Sequence, residues 1–383
     1  MIFPHHKDST ILSGKRSSLE AGLLYAGIAV AVLTAAMAAT AQPSPFFDSD
    51  RAFLPSQVWN ITTVPSNGDV NPYGVTFVDD SFPVGAGPLA HGDILISNFN
   101  NSQNQQGTGT TIVDISKSGA QTLFFQGGPG LGLTTALGTL RAGFIVVGNG
   151  PTSDGSSGTA TAGSLLVINN QGVQVQSITS PAINYSWDMT LVDEGDTAIA
   201  FVSNALDGTV NRLEFAVTSS GLTLNKWTTI GSGYMHRGDP VSLFVAPTGS
   251  AYDRERDILY VASTGDNAVY AIQQASTRTS SAGVGHLIYQ DNAHLHGALG
   301  LAWAPNGHLL VTNNDTINPD PNQPSEIVEF TIHGEFVKEI SVDPAPGGSF
   351  GLAVHNGRFG SIFAAVDDST STLFRWQLNA FPF

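Results

Sequence analysis

Gly300-Leu301-Ala302-Trp303 leads through the turn Pro305-Asn306-Gly307 into Leu309-Leu310-Val311-Thr312-Asn313. A glycine-led apolar run, a tight turn and a second apolar run ending in a small polar residue describe two antiparallel strands. Pro and Gly set the turn, and Asn tolerates the left-handed backbone at a strand end. The second run recurs six times: Ile94 to Asn98, Phe144 to Asn149, Ile199 to Asn204, Ile258 to Ser263, Leu309 to Asn313 and Ile362 to Asp367. Successive starts lie 50, 55, 59, 51 and 53 residues apart. In the preceding runs Gly249, Gly300 and Gly351 follow one another at a spacing of 51.

Each copy is followed by two further strand-like runs, as Glu326 to Phe330 and Phe336 to Ile340 show in the fifth. Four short strands per repeat and six repeats predict an all-β fold: a six-bladed β-propeller of four-stranded antiparallel blades. The sixth repeat has a third strand, Thr372 to Leu378, and no fourth, whereas Gln57 to Val64 reads as an outermost strand standing before the first repeat. Pairing these two closes the ring and removes two open sheet edges. The domain expected is therefore 57–383.

The repeat grammar resembles that of the NHL-repeat propellers, and Ser263-Thr264-Gly265-Asp266-Asn267-Ala268-Val269-Tyr270 carries it well. The whole chain also resembles uncharacterised secreted bacterial propeller proteins. The NHL resemblance spans residues 57–380 and implies a fold shared by binding scaffolds, calcium-dependent lactonases of the gluconolactonase type and zinc-dependent amidating lyases. Those lyases place a metal-binding His just before the glycine of several first strands. This chain has Tyr73, Thr248, Leu299 and Phe350 there. The lactonases place a Glu on an early innermost strand, where Tyr73-Gly74-Val75 has none.

The 383 residues are 41% apolar and 12% charged, enough apolar content for a large core. A formal charge of −16 opposes nucleic acid and acidic lipid surfaces. The absence of Cys excludes disulfides and thiolate chemistry. Lys7, Lys15 and Arg16, the apolar run from Ala21 to Leu33 and Ala39-Thr40-Ala41 read as a signal peptide over 1–41, followed by a linker over 42–56. The expected product is a monomer exported to the periplasm or beyond, without stable membrane insertion.

Strand connectivity in a propeller puts the loops after second strands and those before first strands at one end. The long polar loops 98–110, 148–163, 313–325, 231–247 and 291–299 all fall there, predicting a recognition surface at one mouth of the channel. Asn98, Asn149, Asn204, Thr264, Asn313 and Asp367 stand one per blade at its strand ends. Their oxygens suit a cation or polyol, and their ordinary use is to end strands. Tyr73, Trp187 and Phe350 offer aromatic contact or core packing. His236, His294 and His296, with Asp367, are the candidate metal ligands, for zinc or calcium, in competition with plain loop hydrogen bonding. Ser349 in Gly347-Gly348-Ser349-Phe350-Gly351 fits a nucleophile motif only in letters, because a strand follows it where an elbow needs a helix. Two functions follow: a module binding a small molecule, carbohydrate or protein at the channel mouth, or a metal-dependent hydrolase or lyase, such as a lactonase, at the same place.

Overall fold

The computed structural model describes residues 52–54, 60–357 and 360–378. These form six four-stranded antiparallel sheets and one two-stranded hairpin. The innermost strands are Val70–Phe77, Leu133–Leu140, Ser186–Asp193, Pro247–Asp253, Ala298–Trp303 and Ser349–Gly357, here taken in order as blades 1 to 6. The second strands, Ile94–Asn100, Phe144–Asn149, Thr197–Asn204, Ile258–Ser263, Leu309–Asn313 and Gly360–Asp367, match the six repeats of the sequence. Each innermost strand touches its counterparts in the blades on either side, around a closed circle.

Innermost strands bond only within their own blades, so their other carbonyls need donors from the next blade. Hydroxyls provide them. Ser97 Oγ donates to Thr134 O (2.8 Å) and Thr134 Oγ1 to Ser186 O (2.6 Å). Thr190 Oγ1 donates to Ser250 O (2.7 Å), Thr248 Oγ1 to Leu299 O (2.8 Å) and Thr312 Oγ1 to Phe350 O (2.6 Å). The glycines spaced 51 apart mark the tightest approaches. A Cβ on Gly249 would sit 2.4 Å from Leu299 O, one on Gly300 2.5 Å from Phe350 O, and one on Gly351 1.8 Å from Tyr73 O. In every blade the pairing of first and second strands slips near this point, for example between Pro72 and Gly74 and between Ser186 and Asp188. Such bulges re-aim side chains, here toward the axis.

Apolar side chains fill the spaces between blades. Leu95, Ile112, Leu137 and Ile145 pack between blades 1 and 2, and Phe201, Ile230, Leu259 and Val261 between blades 3 and 4. The ring closes as the sequence implies. Asn60–Thr62 is the outermost strand of blade 6, with Asn60 opposite Phe374, Ile61 opposite Leu373 and Thr62 opposite Thr372. Gln57, Val58 and Trp59 of the expected strand lie outside the described residues, as do the signal peptide and most of the 42–56 linker. Among the described residues no helix is long and apolar enough to cross a membrane.

Ala52 to Leu54 show that the segment ahead of this strand is anchored. The buried Glu329 carboxylate accepts the Phe53 N–H at both oxygens (2.8 Å each) and the Leu54 N–H (2.9 Å). It also accepts from Asn306 Nδ2 (2.8 Å) and lies 2.7 Å from His308 Nδ1. Phe53 meets Phe363 edge-on at 5.7 Å. Burial by itself would raise the Glu329 pKa, but the bonds from His308, Leu54, Phe53 and Asn306 prevail and hold it below the usual Glu range.

Two consequences are measurable. Deleting residues 60–64 exposes the edge of blade 6, and calorimetry is expected to show one cooperative transition for the whole ring at lower temperature; a loss confined to one end contradicts closure. Glu329→Ala is expected to cost about 3 kcal/mol in denaturant unfolding at neutral pH. Because the folded pKa is depressed, the carboxylate's contribution is complete above the ordinary Glu pKa and vanishes as pH falls through the lowered value. The variant and wild type should therefore converge in acid.

Candidate ligand pocket at the upper mouth

The long loops do gather at one end, here called upper. The one before blade 4 carries the two-stranded hairpin, Arg237–Asp239 with Leu243–Val245, which folds inward over the axis. Leu243 and Phe244 are buried at its base, while Val241 at the tip is 77% exposed. Gln106 Nε2 donates to Val241 O (2.6 Å), and Ser242 Oγ hydrogen-bonds Thr316 Oγ1, tying the hairpin to loops of blades 1 and 5.

Beneath it an aromatic plug blocks the channel. Tyr73 is sandwiched between Phe99 (centroids 4.3 Å apart) and Phe350 (4.1 Å). Trp187 packs against Tyr73, Phe99, Tyr185 and Phe244 at 5.6 to 6.0 Å. Tyr73, Trp187 and Phe350 come from innermost strands, Phe99 from the second strand of blade 1, Tyr185 from the loop before blade 3 and Phe244 from the hairpin, and all are buried. Both faces of Tyr73 are taken, so it offers a ligand its hydroxyl edge rather than a stacking face. Trp187, expected at the ligand, belongs to the plug.

Above the plug lies a pocket of about 470 Å³ lined by Asn71, Tyr73, Ser102, Asn104, Gln106, Ser242, Asn314, Phe350 and Asp368, among others. Asn71 has φ 57°, a conformation Asn accepts more readily than most residues, and its N–H donates to Ser371 Oγ (3.3 Å). Of the buried polar atoms without a hydrogen-bond partner among the described residues, two belong to this lining: Asn314 Nδ2, a donor, and Gln106 Oε1, an acceptor. Burial, then the neighbouring Asp367, pushes the Asp368 carboxyl well above the usual carboxylate range. Burial, then Asp368, likewise raises Tyr73, which stays a neutral phenol. The pocket's lining includes no Lys, Arg or His, and it presents amide and hydroxyl donors and acceptors beside one carboxyl that burial biases toward its neutral form.

The expected amide ring has a different task. Asn98 Nδ2 donates to Thr63 O and Thr111 Oγ1 (3.2 Å each). Asn149 accepts from Gly132 N (2.9 Å) and donates to Ser164 Oγ (3.3 Å). Asn204 accepts from Asn184 N (2.9 Å) and donates to Ala182 O (3.1 Å) and Thr209 Oγ1 (3.0 Å). Asn313 accepts from His296 N (3.1 Å) and donates to His294 O (2.7 Å). All four are buried staples joining a second-strand end to the loop that leads into the same blade. Thr264 donates to Ala298 O (2.7 Å), and buried Asp367 accepts from Ser369 N (2.9 Å) within its turn. These side chains do not line the mouth, which corrects their reading as ligand contacts.

The metal reading is corrected as well. His236 is exposed, with Nδ1 3.0 Å from Tyr234 O. His294 pairs with Asp291 (2.8 Å) and stacks on Phe336 at 3.8 Å. His296 is buried beside Asn318 O and Glu326. Neither these nor Asp367 converge, and among the described residues no three His, Asp or Glu form a group fit to hold a metal. Sequence reasoning missed Asn314 and Asp368, each one position beyond a residue it singled out. Both lie just past the end of a second strand, Asp368 in the turn that follows, where the chain enters the upper mouth.

No family model and no curated protein sequence matches this chain. Solved structures do resemble it. The Malassezia sympodialis allergen Mala s 1 aligns with TM-score 0.52 and 12% identity over 85% of this chain and 96% of its own. A gluconolactonase from Xanthomonas campestris aligns with TM-score 0.50 and 9% identity over 84% and 89%. A regucalcin from Agrobacterium tumefaciens, described as calcium-binding, aligns with TM-score 0.50 and 12% identity over 84% and 95%. At these identities the likeness is one of fold. The class so defined is the six-bladed β-propeller.

The staple assignment is testable on Asn204. Asn204→Ala is expected to lower unfolding free energy by about 2 kcal/mol, because buried partners lose their bonds, and to leave any ligand affinity of the folded protein unchanged. Lost affinity at full stability would return Asn204 to the binding surface.

Proposed function

We propose that this chain is an exported binding propeller whose upper pocket holds a neutral polyhydroxylated small molecule of the carbohydrate or polyol class. The orphaned Asn314 Nδ2 and Gln106 Oε1 carry this reading, since a buried donor and a buried acceptor are both costly unless a ligand supplies partners. Hydroxyl groups, which donate and accept, answer both at once. The Tyr73 hydroxyl adds a donor, and the Asp368 carboxyl, biased by burial toward its neutral form, is suited to add another without charge. Export rests on the leader-like sequence of residues 1–41, and the monomeric, NHL-like and secreted bacterial readings belong to the same proposal. A metal-dependent lactonase or other hydrolase or lyase is the second reading. The hard oxygens of Asp368 and Gln106 favour calcium over zinc there, and the pocket's lining includes no His.

Calorimetric titration with a panel of neutral mono- and disaccharides, polyols and sugar lactones tests the proposal. At least one should bind. Asn314→Ala and Gln106→Ala should each weaken it about tenfold in protein that remains folded. With the Asp368 pKa raised, its donor is present below that elevated value and is lost as pH climbs through it, so affinity should fall with rising pH; Asp368→Asn should abolish the fall. Binding indifferent to all three substitutions overturns the assignment. Stoichiometric calcium with a chelator-dependent melting temperature would move it to the metal-dependent reading.

A further inference from the structure

Below the aromatic plug the axis widens again into a separate cavity of about 610 Å³ that opens at the lower face. It is formed by all six innermost strands; its wall is mainly polar, with Thr76, Thr139, Thr190 and Ser250 among its residues, and Val75, Leu137, Met189, Leu301 and Leu352 add apolar patches. Asp188 stands at its inner end, directly after the plug residue Trp187. Among the described residues the carboxylate accepts one hydrogen bond, from Met189 N at 2.7 Å, and no cation is paired with it. Thr135, 7% exposed, lines the same cavity, and its Oγ1 has no partner among the described residues.

The cations at the lower rim are already engaged. Arg141 Nε lies 3.0 Å from Asp193 Oδ1, and Arg254 pairs with Glu194. Blades 2 and 4 flank the Asp188 strand. Of their titratable side chains lining the cavity, Arg141 is at its outer edge with Arg254, and Tyr252 bonds Asp257 at 2.9 Å. Across the axis stand Asp79 and His355, the latter packed on Phe77 at 5.3 Å. A carboxylate without a cation at the inner end of a cavity that carries apolar patches, with an unpartnered hydroxyl in the same lining, is complementary to a cation with a short apolar tail. The protein's net negative charge favours the approach of such a ligand.

We propose that the lower cavity binds a primary aliphatic amine, its ammonium received by Asp188 and Thr135 and its alkyl chain by apolar side chains such as Leu137, Met189 and Leu352. This site is independent of the upper pocket, from which the plug divides it. Burial pushes the Asp188 carboxyl up to about 7, opposed by its bond from Met189. A bound ammonium favours the ionised form, so binding near neutrality releases a proton and tightens as pH rises.

The probe is n-hexylammonium, with 1-hexanol as its uncharged counterpart, followed by titration calorimetry. One equivalent of the amine should bind, about tenfold more tightly at pH 8 than at pH 6, whereas hexanol should not compete. Asp188→Asn should weaken the amine about a hundredfold. Asn314→Ala and Asp368→Asn, which address the upper pocket, should leave it unchanged. Carbon-13 NMR of the Asp188 carboxyl in the wild-type protein keeps the test independent of how the variant folds: saturating amine should lower its titration midpoint. Equal affinity in Asp188→Asn, equal affinity for hexanol, or an unmoved midpoint overturns the proposal.

Discussion

The molecule depends on how closely six innermost strands approach one another around an axis. Strands placed side by side without a shared ladder leave carbonyls that must be satisfied from the next blade, and the hydroxyls of Ser97, Thr134, Thr190, Thr248 and Thr312 do this across five junctions. At the sixth, Gly351 lies against Tyr73 O so closely that no Cβ fits. Because the circle must close, an error at one junction is shared by all, and the N-terminal strand of blade 6 fixes the last of them by main-chain pairing.

That packing also shapes the axis. The bulges that accompany the close approach turn Tyr73, Trp187 and Phe350 inward, and these rings meet Phe99 and the hairpin residue Phe244. The resulting plug converts a channel into two pockets of unlike character. The upper one is ringed by amides, hydroxyls and a carboxyl whose pKa burial raises. The lower one mixes hydroxyls with apolar side chains from all six innermost strands, with the Asp188 carboxyl at the inner end. One innermost strand contributes to both the plug and the lower pocket through consecutive residues, Trp187 and Asp188.

The repeat, the number of blades and the closing strand were legible because each is a local pattern: an apolar run, a turn, and a polar residue that recur about every 50 residues. The six polar strand ends were legible too, but their use was not. Asn98, Asn149, Asn204 and Asn313 look like a ligand ring when only spacing is read. In space their amides face loop backbone that lacks partners, and satisfying it outweighs facing solvent. The three His were grouped by loop position alone, and the loops hold them apart with partners of their own: Tyr234 for His236, Asp291 for His294, Glu326 for His296.

By itself the sequence determined the all-β class, the sixfold repeat and the pairing that closes it, since strand periodicity and turn chemistry act over neighbouring residues. The tertiary structure alone decided which side chains meet. Whether Asn313 or Asn314 faces the pocket depends on strand direction and register. Whether Asp188 lies at the end of a cavity depends on Trp187 and its partners filling the axis above it. Those contacts join residues more than a hundred positions apart, such as Tyr73 and Trp187, and only the packed ring brings them together.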